Sequence, residues 1–389
     1  MNVMELIRQN RDYTVSLRRE FHQYPEVSWK EFRTAQRIRE ELDKLNIPYV
    51  EVAGTGTIAT LKGNREHPVI GLRCDIDALP IQEVKDLPYK SKNEGVMHAC
   101  GHDAHIAMLL SAAKVLSEHR EELNCTVKFI FQPAEEAMNG AVKVIETGLV
   151  DDLDTVAGMH IFPKLPAGTI SVDPGPRYTS AGFMRIKIIG KSGHGAMPES
   201  AVDPIYVGSK VVDALQSIAS REANPNDTVV VSICTFHCGT LPNIIAEVAE
   251  LSGTVRTFSP QLQKSLPERI ERIIKGTCEA HRASYEFDYY VDLPATITDE
   301  RCARISERAV KNSIGEEHII RFPGTPGGED FSHFLERTPG VYAFVGCRTA
   351  ENDCLYELHS DKFNLDEDSM LNGAAFYVQY TLEAQDEQW

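Results

Sequence analysis

The chain has 389 residues, 42% apolar and 25% charged, with 40 basic against 57 acidic side chains and a formal net charge of −17. Its length exceeds the roughly 250–300 residues at which a single core stops growing, so two domains are expected. The acidic excess argues against nucleic acid or an anionic membrane as the main partner, and no run approaches the ~18 apolar residues that span a bilayer.

The N-terminal MNVMELIRQNRDYTV carries neither an apolar core nor a cleavage-site pattern, so no secretory leader is expected. Nine cysteines, an odd number without tight pairs, fit free thiols in a reducing cytoplasm better than a disulfide framework. Cys234 and Cys238 read as strand and turn residues.

Tyr13, Leu17 and Phe21 recur at four-residue steps before Pro25, which predicts a first amphipathic helix. Phe32, Ala35, Ile38, Leu42 and Leu45 predict a second, ending before Pro48. Strands follow over 57–61 and 69–76, the latter leading to Asp77 and Pro80. An apolar strand with acidic residues at its C-terminal end predicts a sheet covered on both faces, with the site at the strand ends.

Asp75 and Asp77 stand two apart, so both carboxylates are expected on one side of the strand end. Next comes Met97 to His105, MHACGHDAH, holding three histidines, one cysteine and one aspartate. A thiolate and an imidazole two residues apart suit Zn²⁺, or Mn²⁺, Co²⁺ or Ni²⁺ where carboxylates share the site. Residues i and i+2 do not share a helix face, which places this segment on a loop feeding the helix that carries Leu109, Ala112, Ala113 and Leu116.

Strand 126–131, TVKFIF, runs into Gln132-Pro133-Ala134-Glu135-Glu136. In an extended backbone the two adjacent glutamates diverge, so one can bind metal while the other serves as general base. Helix 139–147 and strands 155–161 and 168–172 complete an alternating α/β pattern. His160, among apolar neighbours, reads singly as a satisfied core histidine; His359 in LYELHSDKFN is ambiguous alone.

Beyond Pro174-Gly175-Pro176 the order becomes strand 183–189, helix 202–219, strands 228–236 and 245–258, helix 262–281 and strand 284–291. That β-α-β-β-α-β order is a ferredoxin-like unit. It carries His194 on a glycine-flanked turn, Asn243 at a strand start and Arg256 on a strand. Helix 300–314, strand 341–345 and a final amphipathic helix return to the first domain. The expected division is 1–180 and 293–389 for an α/β catalytic domain, with 181–292 inserted as an α+β lid.

MHACGHDAH, RCDIDALP, FQPAEEA, GMHIF, SGHGAMPE, GGEDFSHF and ELHSDKF, in this order and with these gaps, resemble the aminoacylase/hippurate-hydrolase family of dinuclear metallopeptidase-like amidohydrolases. That group includes plant auxin-conjugate hydrolases and bacterial N-acetyl-diaminopimelate deacetylase. The resemblance implies two divalent metal ions (Zn, Mn, Co or Ni) held by Cys100, His102, Glu136, His160 and His359. It makes Glu135 the general base, with Asp75 and Asp77 as supporting carboxylates. His194 would stabilise the carbonyl oxygen, and Asn243 and Arg256 would contact substrate.

The implied reaction is metal-dependent cleavage of an N-acyl amino acid. The implied assembly is a homodimer or higher oligomer through the lid. A di- or aminopeptidase using the same site, and a metal-holding protein without turnover, are the alternatives.

Overall fold

The computed structural model describes residues 1–389, apart from the side chain of Asn352. The chain forms two compact units. The first comprises Met1–Arg177, Ile297–Pro323 and Asp330–Trp389; the second comprises Tyr178–Thr296 and Gly324–Glu329.

The first unit opens with helices α1 (Val3–Gln9), α2 (Arg11–Gln23) and α3 (Phe32–Lys44). Strands β1 (Tyr49–Val52), β2 (Gly56–Lys62) and β3 (Val69–Asp75) follow, then α4 (His102–Glu118), β4 (Thr126–Gln132), α5 (Gly140–Ile145) and β5 (Thr155–Pro166). Short strands β6 (Ile170–Ser171) and β7 (Gly175–Tyr178) precede the second unit.

There the elements are β8 (Ala181–Ile189), β9 (Gly193–His194), α6 (Pro204–Leu215), β10 (Val229–Cys238), β11 (Ile244–Ile245), β12 (Val248–Thr257), α7 (Pro260–Ala280) and β13 (Ser284–Leu293). After β14 (Thr296–Thr298) come α8 (Glu300–Ser313), α9 (Ser332–Leu335), β15 (Gly340–Arg348) and α10 (Ser369–Ala384).

Seven strands make the sheet of the first unit, in the order β1-β2-β4-β3-β5-β15-β6. The central pairings β4–β3, β3–β5 and β5–β15 are parallel, while those toward both edges are antiparallel. Every residue of β3 is buried. A strand with no solvent face needs cover on both sides, which accounts for its unbroken apolar run. Helix α4 is buried over nearly its whole circumference, as expected of a helix apolar all round. It packs with α2 and α10 in one continuous core.

In the second unit the order β10-β12-β8-β13, antiparallel throughout, is that of a ferredoxin-like fold. Helices α6 and α7 bury Val207, Val211, Leu262, Leu266, Ile270 and Ile274 against the sheet. Capping side chains set their starts: Asp203 accepts from the Ile205 amide and Ser259 from the Leu262 amide, each followed by a proline whose φ suits the first helical position.

The predicted elements recur within a few residues of their expected ends. The metal-type motif departs from expectation. Only its first half is loop; His102, Asp103 and His105 stand in the first turn of α4. Gly101, at φ 85°, adopts the left-handed conformation that lets the chain turn between Cys100 and His102.

Candidate metal centre

Two parallel strands deliver the core of the site at their C-terminal ends. β3 terminates at Asp75 and β4 at Gln132, immediately before the Pro133–Glu136 turn. A parallel sheet places its chemistry there because the chain must leave the sheet and its side chains face open space. β5 adds His160 from its middle, and α4 adds His102 from its first turn.

Each imidazole has a defined donor side. His102 Nδ1 lies 2.9 Å from the Asp77 carbonyl oxygen, so it donates there. His102 Nε2 is fully buried and has no hydrogen-bond partner in the protein. His160 Nδ1 donates to the Ile161 carbonyl at 2.6 Å, leaving Nε2 3.3 Å from Cys100 Sγ. A backbone carbonyl on one ring nitrogen is how proteins aim the other nitrogen's lone pair at a metal.

His105 is different. Its Nδ1 donates to Asp75 Oδ1 at 2.6 Å and its Nε2 accepts from the Ile161 amide at 2.9 Å. Both nitrogens are engaged, which makes it a strut between Asp75 and β5. Three residues from His102 on the same helix, it stands outside the expected ligand set, as does His98. The i, i+3 spacing is the signal that ties it to the site.

The two glutamates do not diverge as an extended backbone would have them. Residues 135–138 form a turn, entered through Ala134 at φ 53° and left through Met138 at φ 59°. Ligand atoms of His102, Glu135 and Glu136 all lie within 4.8 Å of one another. The same holds for Cys100, His102 and His160, and for Cys100, Glu136 and His359. Because these groups share members, the five expected ligands and the expected base converge on one locus.

His359 is half exposed, sits at φ 63°, and places Nε2 3.3 Å from Glu136 Oε1. Left-handed non-glycine residues persist only where surroundings over-determine them, and three of them border this site. Gly140 closes the turn. A β-carbon there would lie 1.7 Å from the Pro133 carbonyl oxygen, so no side chain fits.

Buried carboxylates hold the main chain in place. Asp77 accepts the Glu135 amide on Oδ1 and the Glu136 amide on Oδ2, both at 3.1 Å, together with the Ser28 hydroxyl at 2.6 Å. Asp75 pairs with Arg73 at 2.9 Å, and Arg73 reaches Asp330 at 3.0 Å. Asp330 in turn accepts from the Gln132 amide nitrogen and the Ala141 backbone. Asp330 belongs to the GGEDFSHF motif. Its contact with Arg73, 257 positions away in the chain, is invisible to spacing arguments.

Electrostatics match a cation. Burial pushes the Cys100 thiol well above its usual pKa, and Glu136, Glu135 and Asp75 add to the rise. Burial opposes charge on His102, yet Asp75, Asp77 and Glu136 lift its pKa to about 10. The locus therefore carries surplus negative charge, which a divalent ion neutralises. The donor set of one sulfur, imidazole nitrogens and carboxylate oxygens, with His102 Nε2 unpartnered, fits zinc or a neighbouring transition metal.

Residues 71–383 match the model of peptidase family M20/M25/M40. The chain belongs to this family. An N-acetylcysteine deacetylase of Bacillus subtilis (strain 168) is 38% identical over 370 residues, 94% of this chain and 95% of its own. IAA-amino acid hydrolase ILR1-like 4 of Arabidopsis thaliana is 36% identical over 372 residues, 94% of this chain and 84% of its own. Among solved structures, the YXEP protein of Bacillus subtilis, a dinuclear metal binding peptidase from the M20 family, superimposes with a TM-score of 0.87 at 35% identity. That match covers 97% of this chain and 99% of the other. The protein is thus an amide-bond hydrolase of the M20 family, with residue groups able to hold its metal ions.

The remaining expected residues lie in the second unit. His194 is exposed on β9, which pairs with β11 so that His194 stands opposite Ile244. Asn243 precedes β11, and its carbonyl accepts the Gly195 amide at 2.9 Å. His194 and Asn243 thus belong to one small ribbon. Arg256 is half-buried on β12, its guanidinium 5.6 Å from the Phe183 ring centroid. Among the described residues its side chain has no ion pair or hydrogen bond, and burial holds its pKa below the usual value against the pull of Asp292. No helix among the described residues is long and apolar enough to cross a membrane.

Proposed function

We propose that this M20 hydrolase cleaves the amide bond of N-acyl amino acids, releasing a carboxylic acid and a free amino acid. The observation that carries this reading is Arg256. A half-buried guanidinium with no ion pair or hydrogen bond among the described residues suits a substrate carboxylate, which its planar fork can bind in bidentate fashion. A free carboxylate next to the scissile amide is common to acyl amino acids and dipeptides, and the names of the N-acetylcysteine and IAA-amino acid relatives favour the first.

Cys100, His102, Glu136, His160 and His359 are our candidates to hold two divalent ions. When bound, such ions acidify water and polarise the amide carbonyl. Glu135 is the general base: it takes the proton of the attacking water and returns it to the departing amine. Its carboxylate is nearly buried, and Asp77 fixes its backbone amide, so the proton acceptor is pre-oriented. Asp75 steadies the arrangement through His105 and Arg73. Asn243 is assigned to substrate contact, and His194 to stabilisation of the carbonyl oxygen, on the family resemblance.

The test is a hydrolysis screen of N-acetyl and N-aroyl amino acids beside dipeptides with a free amino terminus, after loading stripped protein with Zn²⁺, Mn²⁺, Co²⁺ or Ni²⁺. Acyl amino acids are expected to be the better substrates by at least about tenfold in kcat/KM, a difference of ~1.4 kcal/mol. A preference for unblocked dipeptides would move the assignment to a peptidase.

A further inference from the structure

We infer that Glu31 is a positioning residue for the base, holding the turn that aims Glu135. The inference rests on the assignment of Glu135 made above. Glu31 is fully buried at the start of α3, more than a hundred positions before the turn. Its Oε2 accepts from the Thr55 hydroxyl at 2.7 Å and its Oε1 from the Ala134 backbone amide at 2.9 Å.

Neither partner is a cation, and among the described residues Glu31 forms no ion pair. A buried carboxylate satisfied only by neutral donors is a poor choice for stability alone. What it does secure is the peptide unit directly before Glu135. Ala134 sits at φ 53°, a conformation an L-residue leaves unless held.

With Asp77 on the next two amides, three successive N–H groups, 134, 135 and 136, are each gripped by a buried carboxylate. Asp77 also carries the His102 contact, whereas the Glu31 carboxylate makes its hydrogen bonds to other residues at the Ala134 amide and Thr55. Releasing Glu31 therefore frees the base while leaving the support of His102 in place.

The experiment compares Glu31→Ala, Glu31→Asp and Glu31→Gln in the metal-loaded, full-length protein. Ala removes the acceptor, Asp keeps the charge but falls one methylene short, and Gln keeps an amide oxygen at the right reach. A displaced base lowers kcat while KM changes little, and a shift of the order of 1 Å lowers rates about 100-fold. Glu31→Ala should show that loss, Glu31→Asp a smaller one, and Glu31→Gln should recover most of the activity, all with bound metal unchanged.

Hydrogen exchange of the peptide spanning residues 131–138 supplies a reading independent of substrate. It should accelerate in the Ala and Asp variants and stay near wild type in Gln. Should Glu31→Ala not fold, Glu31→Asp carries the comparison. Wild-type kcat and exchange in Glu31→Asp, or a Gln variant as impaired as Ala, would overturn the inference. A wild-type protein inert toward every acyl amino acid would instead remove the proposed function, and the exchange pattern would still decide the role of Glu31.

Discussion

Asp77 serves Glu135 and His102 at once: its side chain accepts the Glu135 amide at 3.1 Å while its own carbonyl oxygen receives His102 Nδ1 at 2.9 Å. One aspartate thereby sets the tautomer of a candidate ligand and the backbone of the candidate base. Replacing its side chain releases the Glu135 and Glu136 amides and leaves the backbone carbonyl that receives His102 Nδ1.

Asp77→Asn keeps the volume but puts an NH₂ group against one of the two turn amides. Loss of an outer support of this kind lowers metal affinity or activity about 10–100-fold. Steady-state kinetics and metal titration of the variant should show that loss in kcat. Unchanged kcat and unchanged affinity would mean that the amide contacts are incidental.

Arg256→Ala should act on recognition of the carboxylate. Truncating one partner of a desolvated, hydrogen-bonded charge pair costs about 2–5 kcal/mol, so kcat/KM for acyl amino acids should fall at least about 30-fold. The corresponding carboxamides should lose far less, since their neutral group never engaged the guanidinium. Equal losses on both substrates would place Arg256 outside substrate binding.

His22 provides a pH-dependent prediction for stability. It is buried between Asp103, 2.8 Å from Nδ1, and Glu83, 3.2 Å from Nε2. Burial by itself would lower its pKa; Asp103 and Glu83 overcome that and hold it above the usual 6.5. A raised folded pKa contributes stability fully below the unfolded value and loses it as pH rises through the folded value. Urea unfolding of wild type and His22→Gln should therefore differ most below about pH 6.5, with the gap shrinking at alkaline pH. A gap that widens as pH rises would contradict the charged imidazole.

Gly140→Ala tests the turn sterically. Its new methyl would collide with the Pro133 carbonyl, 1.7 Å away, so backbone must move. Overpacking of this sort costs about 1–3 kcal/mol, and turnover should fall with it because the same turn carries Glu135. Thermal unfolding and kcat together check this; a variant as stable and as active as wild type would show that the turn tolerates the shift.

Much of the fold was legible in the chain. Periodicity marks α2, α3 and α10, and the ferredoxin-like order follows from the alternation of its strands and helices. The candidate ligands were legible because each lies in a short motif of the sequence. The supports were not, because contacts such as Arg73–Asp330 and Glu31–Ala134 join distant segments, and one of them ends on a backbone amide that no side-chain pattern announces. Sequence spacing also mis-set Glu135 and Glu136. It assumes extended backbone, whereas Ala134 at φ 53° swings both carboxylates toward His102.

The most direct measurement is a paired one on Glu135→Ala and Glu136→Ala: metal per chain after reconstitution, and turnover of an N-acyl amino acid. The account predicts that Glu135→Ala retains its metal and loses at least about 100-fold in kcat, as removal of a general base does, whereas Glu136→Ala loses both metal and activity. A Glu135→Ala protein turning over at the wild-type rate, or a Glu136→Ala protein with full metal, would contradict it.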